Sequence, residues 1–204
     1  MPRARCALSR GLPATGYRFL YPVRMAVGLR MTVEQYLALP EEKPYREYVY
    51  GEVVRKARPN EDHVILAGEI IVRLGPLRLD IGGVLGPEPR IRFDTERRPE
   101  FCLPDVGYWR PEKPRRDGPH LLPPTLAVEV RSPGEPMDEQ REKCRHYRRY
   151  GVDVCWLIDP EARTVEVFEG NRDGETLAED AALESSLLPG FRLKLPDVFA
   201  ALDD

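Results

Sequence analysis

Hydrophobic and polar residues follow two different periods along the chain, and together they predict both helices and strands. Apolar residues recur with helical spacing from Val64 to Leu74, after Asn60, which can cap a helix. This segment predicts a helix that ends at Gly75-Pro76, because proline and glycine terminate helices. A short helix over 32–39 and another over 138–150 are predicted on the same grounds.

Short segments rich in β-branched and aromatic residues separate these helices. Residues 45–57 predict two strands around the turn Tyr50-Gly51. Further strands are predicted over 83–85, 90–93, 102–109, 125–131, 152–158 and 164–169. Because strands and helices are interspersed, the pattern predicts an α/β fold with a mixed central sheet flanked by helices. The chain has no run of 18 apolar residues, which excludes a membrane-spanning helix.

Charge divides the 204 residues unevenly. Residues 1–31 contain six arginines and no acidic residue, whereas the remainder carries 25 basic and 34 acidic residues, a net charge of −9. We expect residues 1–30 to be a basic, disordered arm, or a gene-calling artefact that precedes a true start at Met25 or Met31. Residues 31–204 are long enough for a single domain. The four cysteines form no C-x-x-C pair, which favours reduced thiols and a cytoplasmic location.

Two carboxylates in apolar strands are the first candidates for chemistry. In the strand Leu126–Arg131, side chains alternate, so Glu129 and Arg131 share a face that is otherwise apolar. Asp105 follows Pro104 at the start of another strand. Carboxylates at adjacent strand ends can bind Mg²⁺, which prefers oxygen ligands. Each residue also has a structural interpretation, since Asp105 alone can form a turn and Glu129–Arg131 can be an ordinary ion pair.

The helix predicted over 138–150 supplies a third candidate, Lys143. It shares a helix face with Tyr147 and can point from there toward the two carboxylates. It can equally pair with Glu139 on the surface of the same helix. The helix alone leaves both interpretations open.

Taken in order, these segments resemble the Uma2 family of endonucleases, which belongs to the PD-(D/E)xK nuclease superfamily. The resemblance covers roughly Met31 to Gly170. It rests on Pro104-Asp105, Glu129-Val130-Arg131-Ser132-Pro133, Asp138, Lys143, Tyr147 and Trp156-Leu157-Ile158-Asp159-Pro160. It implies a restriction-endonuclease-like core that hydrolyses DNA phosphodiester bonds. Asp105, Glu129 and Lys143 would be catalytic, and Mg²⁺ or Mn²⁺ would be held by Asp105, Glu129 and Glu47.

The chain departs from the superfamily motif at Arg131, which occupies the lysine position of E-x-K. Arginine stays protonated and cannot act as a base. The resemblance therefore assigns the lysine role to Lys143 and leaves Arg131 to bind phosphate through its planar guanidinium. His63 matches a family histidine loosely, but its apolar neighbours on the helix favour a packed structural histidine.

The alternative to an enzyme is a catalytically degenerate nuclease fold that serves nucleic-acid binding or dimerisation. Arg131 and the acidic net charge motivate that alternative. The sequence does not distinguish DNA from RNA or define a target sequence. A homodimer is suggested only by analogy with nucleases that cut both strands.

Overall fold

The computed structural model describes residues 29–203 of the chain. The helices are α1 (Val33–Leu37), α2 (Glu61–Ile81), α3 (Met137–Arg149) and α4 (Leu195–Phe199), followed by a 3₁₀ turn (Ala200–Leu202). The strands are β1 (Leu29–Arg30), β2 (Arg46–Val49), β3 (Glu52–Arg55), β4 (Val84–Pro87), β5 (Ile91–Asp94), β6 (Pro99–Cys102), β7 (Val106–Trp109), β8 (Arg116–Asp117), β9 (His120–Leu121), β10 (Leu126–Val130), β11 (Val154–Asp159), β12 (Thr164–Glu169), β13 (Arg172–Leu177), β14 (Ala182–Leu183) and β15 (Leu193–Lys194).

The predicted basic arm falls almost wholly outside the described residues. Residues 1–28 are not described, so the expectation that the arm is disordered stays a prediction. Leu29 and Arg30 form β1, which pairs antiparallel with β3. The single-domain boundary at residue 31 likewise stays a prediction.

The strands of residues 29–203 form two larger sheets and one small one. A seven-stranded sheet has the order β1-β3-β2-β6-β5-β9-β8, and a six-stranded sheet has the order β13-β12-β11-β10-β7-β4. In the second sheet β10 and β11 are parallel, and their outer neighbours β7 and β12 are antiparallel to them. This mixed arrangement flanked by helices confirms the predicted fold class.

The core lies on both faces of the six-stranded sheet. Leu126, Val128 and Val130 of β10 pack in one apolar cluster with α2 and α4. Ala127 packs on the opposite face with residues of α3. The predicted alternation along this strand is therefore confirmed. Because Glu129 follows Ala127 by two positions, its side chain faces α3.

Helix α2 is longer than its sequence predicts. The expected end at Gly75-Pro76 is wrong, because the helix continues to Ile81 with Pro76 inside it. Leu74 and Leu77, on either side of that pair, are buried in the core below the sheet. Burial of leucine side chains stabilises by roughly 1.5–3 kcal/mol each, which is enough to offset the loss of one helical hydrogen bond.

The single strand predicted over 102–109 is two strands in different sheets. β6 ends at Cys102 in the seven-stranded sheet, and β7 begins at Val106 in the six-stranded sheet. Pro104 lies in the segment that crosses between the sheets. Because proline has no backbone N–H, it cannot donate a hydrogen bond to a neighbouring strand. Asp105 follows it, and its backbone N–H donates to Val128 O at 2.9 Å. The crossing therefore places Asp105 beside β10.

No helix within residues 29–203 is both long and apolar enough to cross a membrane.

Candidate active site

Five charged side chains from different elements meet where the two sheets adjoin. We call them the acid–lysine cluster: Glu47 of β2, Lys56 after β3, Asp105 before β7, Glu129 of β10 and Lys143 of α3. The three carboxylates are almost inaccessible to solvent. Charges in such a place are costly unless they are paired, and each is paired here.

Asp105 is held by three groups. Its Oδ2 accepts a hydrogen bond of 2.7 Å from the Val130 N–H, and its Oδ1 contacts Lys56 Nζ and lies 3.1 Å from His63 Nε2. Burial alone would raise the pKa of Asp105, but the charge of Lys56 and the hydrogen bonds from His63 and Lys56 outweigh it. They hold the pKa of this carboxyl well below its usual range, so Asp105 is ionised at neutral pH.

Lys143 lies between two carboxylates rather than on the protein surface. Its Nζ is 3.1 Å from Glu129 Oε1 and 3.2 Å from Glu47 Oε1. The surface pairing with Glu139 that the helix pattern left open is therefore not the one adopted. Burial would lower the pKa of Lys143, but Glu129 and Glu47 outweigh it and raise the pKa well above its ordinary value. Lys143 is thus a charged ammonium at neutral pH.

The charged form of Glu129 is disfavoured by burial. Burial raises its pKa to about 7, against the opposing effect of Lys143 and with a further increase from the negative charge of Asp105. Tyr147 donates a hydrogen bond of 2.7 Å to the same Oε1 that faces Lys143. Glu129 therefore changes charge near neutral pH, which is a property common to catalytic carboxylates.

His63 connects α2 to this cluster. Asn60 caps the helix by accepting a 3.1 Å hydrogen bond from the His63 N–H, which fixes His63 in the first turn. The His63 ring then lies between Asp105 and Ser132, with its Nδ1 3.1 Å from Ser132 Oγ. His63 is buried as expected, but its ring is hydrogen bonded to the candidate site, which the packed structural interpretation did not predict.

Arg131 is not brought to the cluster. It directly follows the end of β10 at Val130. Its Nη2 lies 3.0 Å from Asp159 Oδ1, in the last residue of the neighbouring strand β11, and 2.6 Å from Glu161 Oε2, just beyond that strand. The Glu129–Arg131 ion pair is not formed, and a phosphate-binding role for Arg131 lacks support from its position.

Lys56 was missed by the sequence reasoning. It follows β3 directly, and its backbone N–H donates to Tyr45 O at 2.9 Å, which extends the β2–β3 hairpin by one pair. Period-two alternation puts Lys56 on the face of Val54, the residue that pairs with Glu47. That shared face is the signal that could have connected Lys56 with Glu47.

A cavity of about 650 Å³ opens beside Asp105. Lys56, His63 and Asp105 line one part of it, and the exposed cations Lys43 and Arg58 line another. The other three members of the acid–lysine cluster, Glu47, Glu129 and Lys143, do not line this cavity. A second cavity, of about 710 Å³ near the C-terminal hairpin, contains none of the predicted site residues. The cavity beside Asp105 therefore gives solvent and small ligands access to Asp105.

The carboxylate oxygens of the cluster are suitable ligands for a hard divalent cation, but they are not arranged as a metal site in this structure. Three carboxylates with two lysines leave an excess of negative charge, and carboxylate oxygens are the ligands that Mg²⁺ prefers. In residues 29–203, however, no three His, Cys, Asp or Glu side chains are arranged to hold a metal ion. Lys143 and Lys56 instead provide the positive charge against these oxygens.

The fold belongs to a known class of α/β proteins, in which mixed sheets are flanked by helices. A crystal structure described as that of "a putative nuclease belonging to DUF820 from Anabaena variabilis ATCC 29413" superimposes with a TM-score of 0.74. It is 24% identical, and the match covers 84% of this chain and 99% of that chain, so it shows a common fold. The chain belongs to the Uma2 family, described as "Putative restriction endonuclease", whose model matches residues 33–196. No curated protein matches the chain.

Proposed function

We propose that this protein is a metal-dependent endonuclease that hydrolyses DNA phosphodiester bonds, with Asp105, Glu129 and Lys143 as its catalytic residues. The observation that carries the proposal is the position of Lys143. Its ammonium points at Glu129, which is adjacent to Asp105 across the β7–β10 pairing, and not at solvent. An amine and two acids from three elements therefore share one buried site, as a nuclease centre requires.

Asp105 and Glu129, with Glu47 as a third ligand, are the residues that would hold Mg²⁺ or Mn²⁺. Such an ion, when bound, supplies positive charge that offsets the charge developing on the phosphate. Binding requires Lys56 to move away from Asp105 Oδ1. Lys56 lines the cavity, which gives its side chain room to move.

Lys143 contributes to catalysis through its positive charge. Because its pKa lies well above the ordinary value, it cannot accept a proton from water at neutral pH. Its role is to orient the attacking water and to stabilise the pentacovalent phosphate. We assign the phosphate contacts to the cations that line the cavity rather than to Arg131. These cations are Lys56, Lys43 and Arg58.

Plasmid nicking tests the proposal. Purified protein with Mg²⁺ or Mn²⁺ should convert supercoiled DNA to the open circle, and EDTA should stop the reaction. Asp105→Ala and Lys143→Ala should abolish nicking, whereas Lys194→Ala, at an exposed lysine outside the cluster and its cavity, should not. Equal nicking by wild type, Asp105→Ala and Lys143→Ala would refute the assignment.

A second candidate function is a metal-independent nucleic-acid-binding module on the same fold. The observation that favours it is that Lys56 and Lys143 already provide positive charge to the three carboxylates. Calorimetry separates the two functions. A binding module retains its DNA affinity in EDTA and gives no heat with Mg²⁺, whereas the proposed enzyme gives a Mg²⁺ heat that Asp105→Ala removes. DNA as the substrate and a cytoplasmic location stay predictions in either case.

A further inference from the structure

The outward face of α2 is apolar although no described part of the chain covers it. Val64, Val72 and Leu79 are 59%, 67% and 77% exposed. They recur at intervals of eight and seven residues, so they lie on one side of the helix, opposite the buried Leu66, Ile70 and Leu74. A helix that is apolar on both sides is typical of one that is buried on both sides.

Two glycines lie between these exposed side chains. A Cβ atom at Gly68 or at Gly75 would meet nothing within 4 Å, so the space outside the helix is open at both positions. The two positions also lack side chains that would keep another helix at a distance. The face from Val64 to Leu79, which we call the α2 face, is therefore open and closely approachable. Exposed apolar side chains that line up on one side of a helix are candidates for an interaction site.

We propose that the α2 face binds the α2 face of a second copy of this chain, with the two helices antiparallel. The pattern is symmetric about the point between Ile71 and Val72. Antiparallel packing about that point puts Val64 opposite Leu79 and Gly68 opposite Gly75 of the other copy. A two-fold interface needs a surface that is complementary to itself, and this face meets that requirement.

Opposite charges also lie near the midpoint of the α2 face. Glu69 and Arg73 lie at its edge, on either side of the midpoint, and Arg73 Nε is 2.6 Å from Glu69 Oε1 within one copy. In the antiparallel pair Glu69 of each copy is level with Leu74 of the other, one residue from Arg73, so opposite charges of the two copies lie close to each other. The helix dipoles also oppose each other in this arrangement, which favours it over a parallel one.

The two-fold axis would also fix where the candidate sites lie, a consequence that rests on the proposed function. Val64, Ala67, Gly68 and Ile71 line the cavity beside Asp105, so the cavity lies along one edge of the α2 face. The symmetry keeps both cavities on the same side of the helix pair. At 1.5 Å per residue, the two His63 positions lie roughly 25 Å apart along the helix axis. Both cavities would thus face one bound nucleic acid.

The mass of the full chain in solution tests the dimer independently of any nuclease activity. Wild type should have twice the chain mass of 23.4 kDa by light scattering. Val72→Glu and Leu79→Glu should each halve it, because a buried, unpaired carboxylate is unfavourable in the interface. Leu29→Glu is a matched control, since Leu29 is 68% exposed on β1, and it should leave the dimer intact. Unchanged circular dichroism would show that the variants are folded.

Cross-linking provides the second measurement. In a Cys6→Ser background, Val72→Cys lies beside its counterpart and should form an intermolecular disulfide on mild oxidation. The remaining cysteines, Cys102, Cys144 and Cys155, are buried and should not react. A monomeric wild type, or a dimer that survives both glutamate substitutions and does not cross-link at position 72, would overturn the proposal. A monomer would leave the proposed nuclease function standing.

Discussion

The charge states of Lys143 and Glu129 in the acid–lysine cluster depend on two effects, ion pairing and desolvation. Lys143 has two carboxylate partners, whereas Glu129 shares one ammonium with Glu47 and faces the negative charge of Asp105. The lysine is therefore stabilised as a cation, while the glutamate lies close to its protonation midpoint at neutral pH. An added divalent cation would relieve that imbalance, which is why the cluster suits one chemically.

The raised pKa of Glu129 has a consequence for stability. Its pKa is about 7 in the folded protein against an ordinary value of 4.5, so between these pH values the folded state binds more protons than the unfolded state. Its contribution is present at low pH and is lost as the pH rises to about 7. Glu129→Gln cannot titrate, so the free energy of unfolding of wild type minus that of the variant should fall across this window.

Urea unfolding of both proteins from pH 4.5 to pH 8 measures this difference. Asp105 and the other titrating groups are common to both proteins, so their effects largely cancel. A difference that stays flat, or that increases with pH, would contradict the assignment of a raised pKa to Glu129.

The residue positions show what the sequence can and cannot reveal. Asp105, Glu129 and Lys143 were predicted together because strand alternation, helix periodicity and an ordered family resemblance pointed to the same edge of the sheet. The partners of Arg131 were not foreseen, because Asp159 and Glu161 are 28 and 30 residues away and no local pattern connects them with it. Lys56 escaped notice because its partner Asp105 is 49 residues away, and no local pattern joins a hairpin strand to a crossing between sheets.

At the scale of elements, the start of α2 controls one wall of the candidate site. The Asn60 side chain caps the helix through the His63 N–H, and His63 in turn holds Asp105. Asn60→Ala should therefore destabilise the protein by about 1 kcal/mol, the usual cost of losing a cap. Asn60→Asp should retain the stability, since aspartate caps equally well.

Thermal or urea unfolding of the two Asn60 variants checks this prediction. Because His63 is fixed by the cap, Asn60→Ala should also reduce nicking more than Asn60→Asp does. Equal stability of Asn60→Ala and wild type would show that the cap does not hold the first turn.

Some element boundaries were predicted correctly and others were not, and the difference has physical reasons. The beginning of α2 was found because a cap is a local feature of the chain. Its end was not, because burial of Leu77 against the distant strands of the sheet outweighs the local effect of Gly75-Pro76. The division of β6 from β7 was also missed, since the crossing between sheets depends on strand partners that are remote in sequence.

The whole molecule has an acidic body, so the proposed binding to DNA depends on local positive charge. Lys43, Lys56 and Arg58 line the cavity beside Asp105, but Lys43 pairs with Glu88 and Lys56 with Asp105, so phosphate binding there requires these ion pairs to open. The two sheets converge at this cavity, and the cluster lies at their junction. Fold, cavity and charge therefore coincide at one place in the part of the chain that the structure describes.

The most direct test of a hydrolytic centre at this junction is the initial rate of plasmid nicking by Glu129→Gln in Mg²⁺ at alkaline pH. Glutamine keeps the size of the side chain and can accept the Tyr147 hydrogen bond, but it removes the charge. We expect a folded variant whose rate is lower by about 100-fold or more, the usual effect of losing a catalytic carboxylate. A folded Glu129→Gln protein that nicks at the wild-type rate would contradict the account.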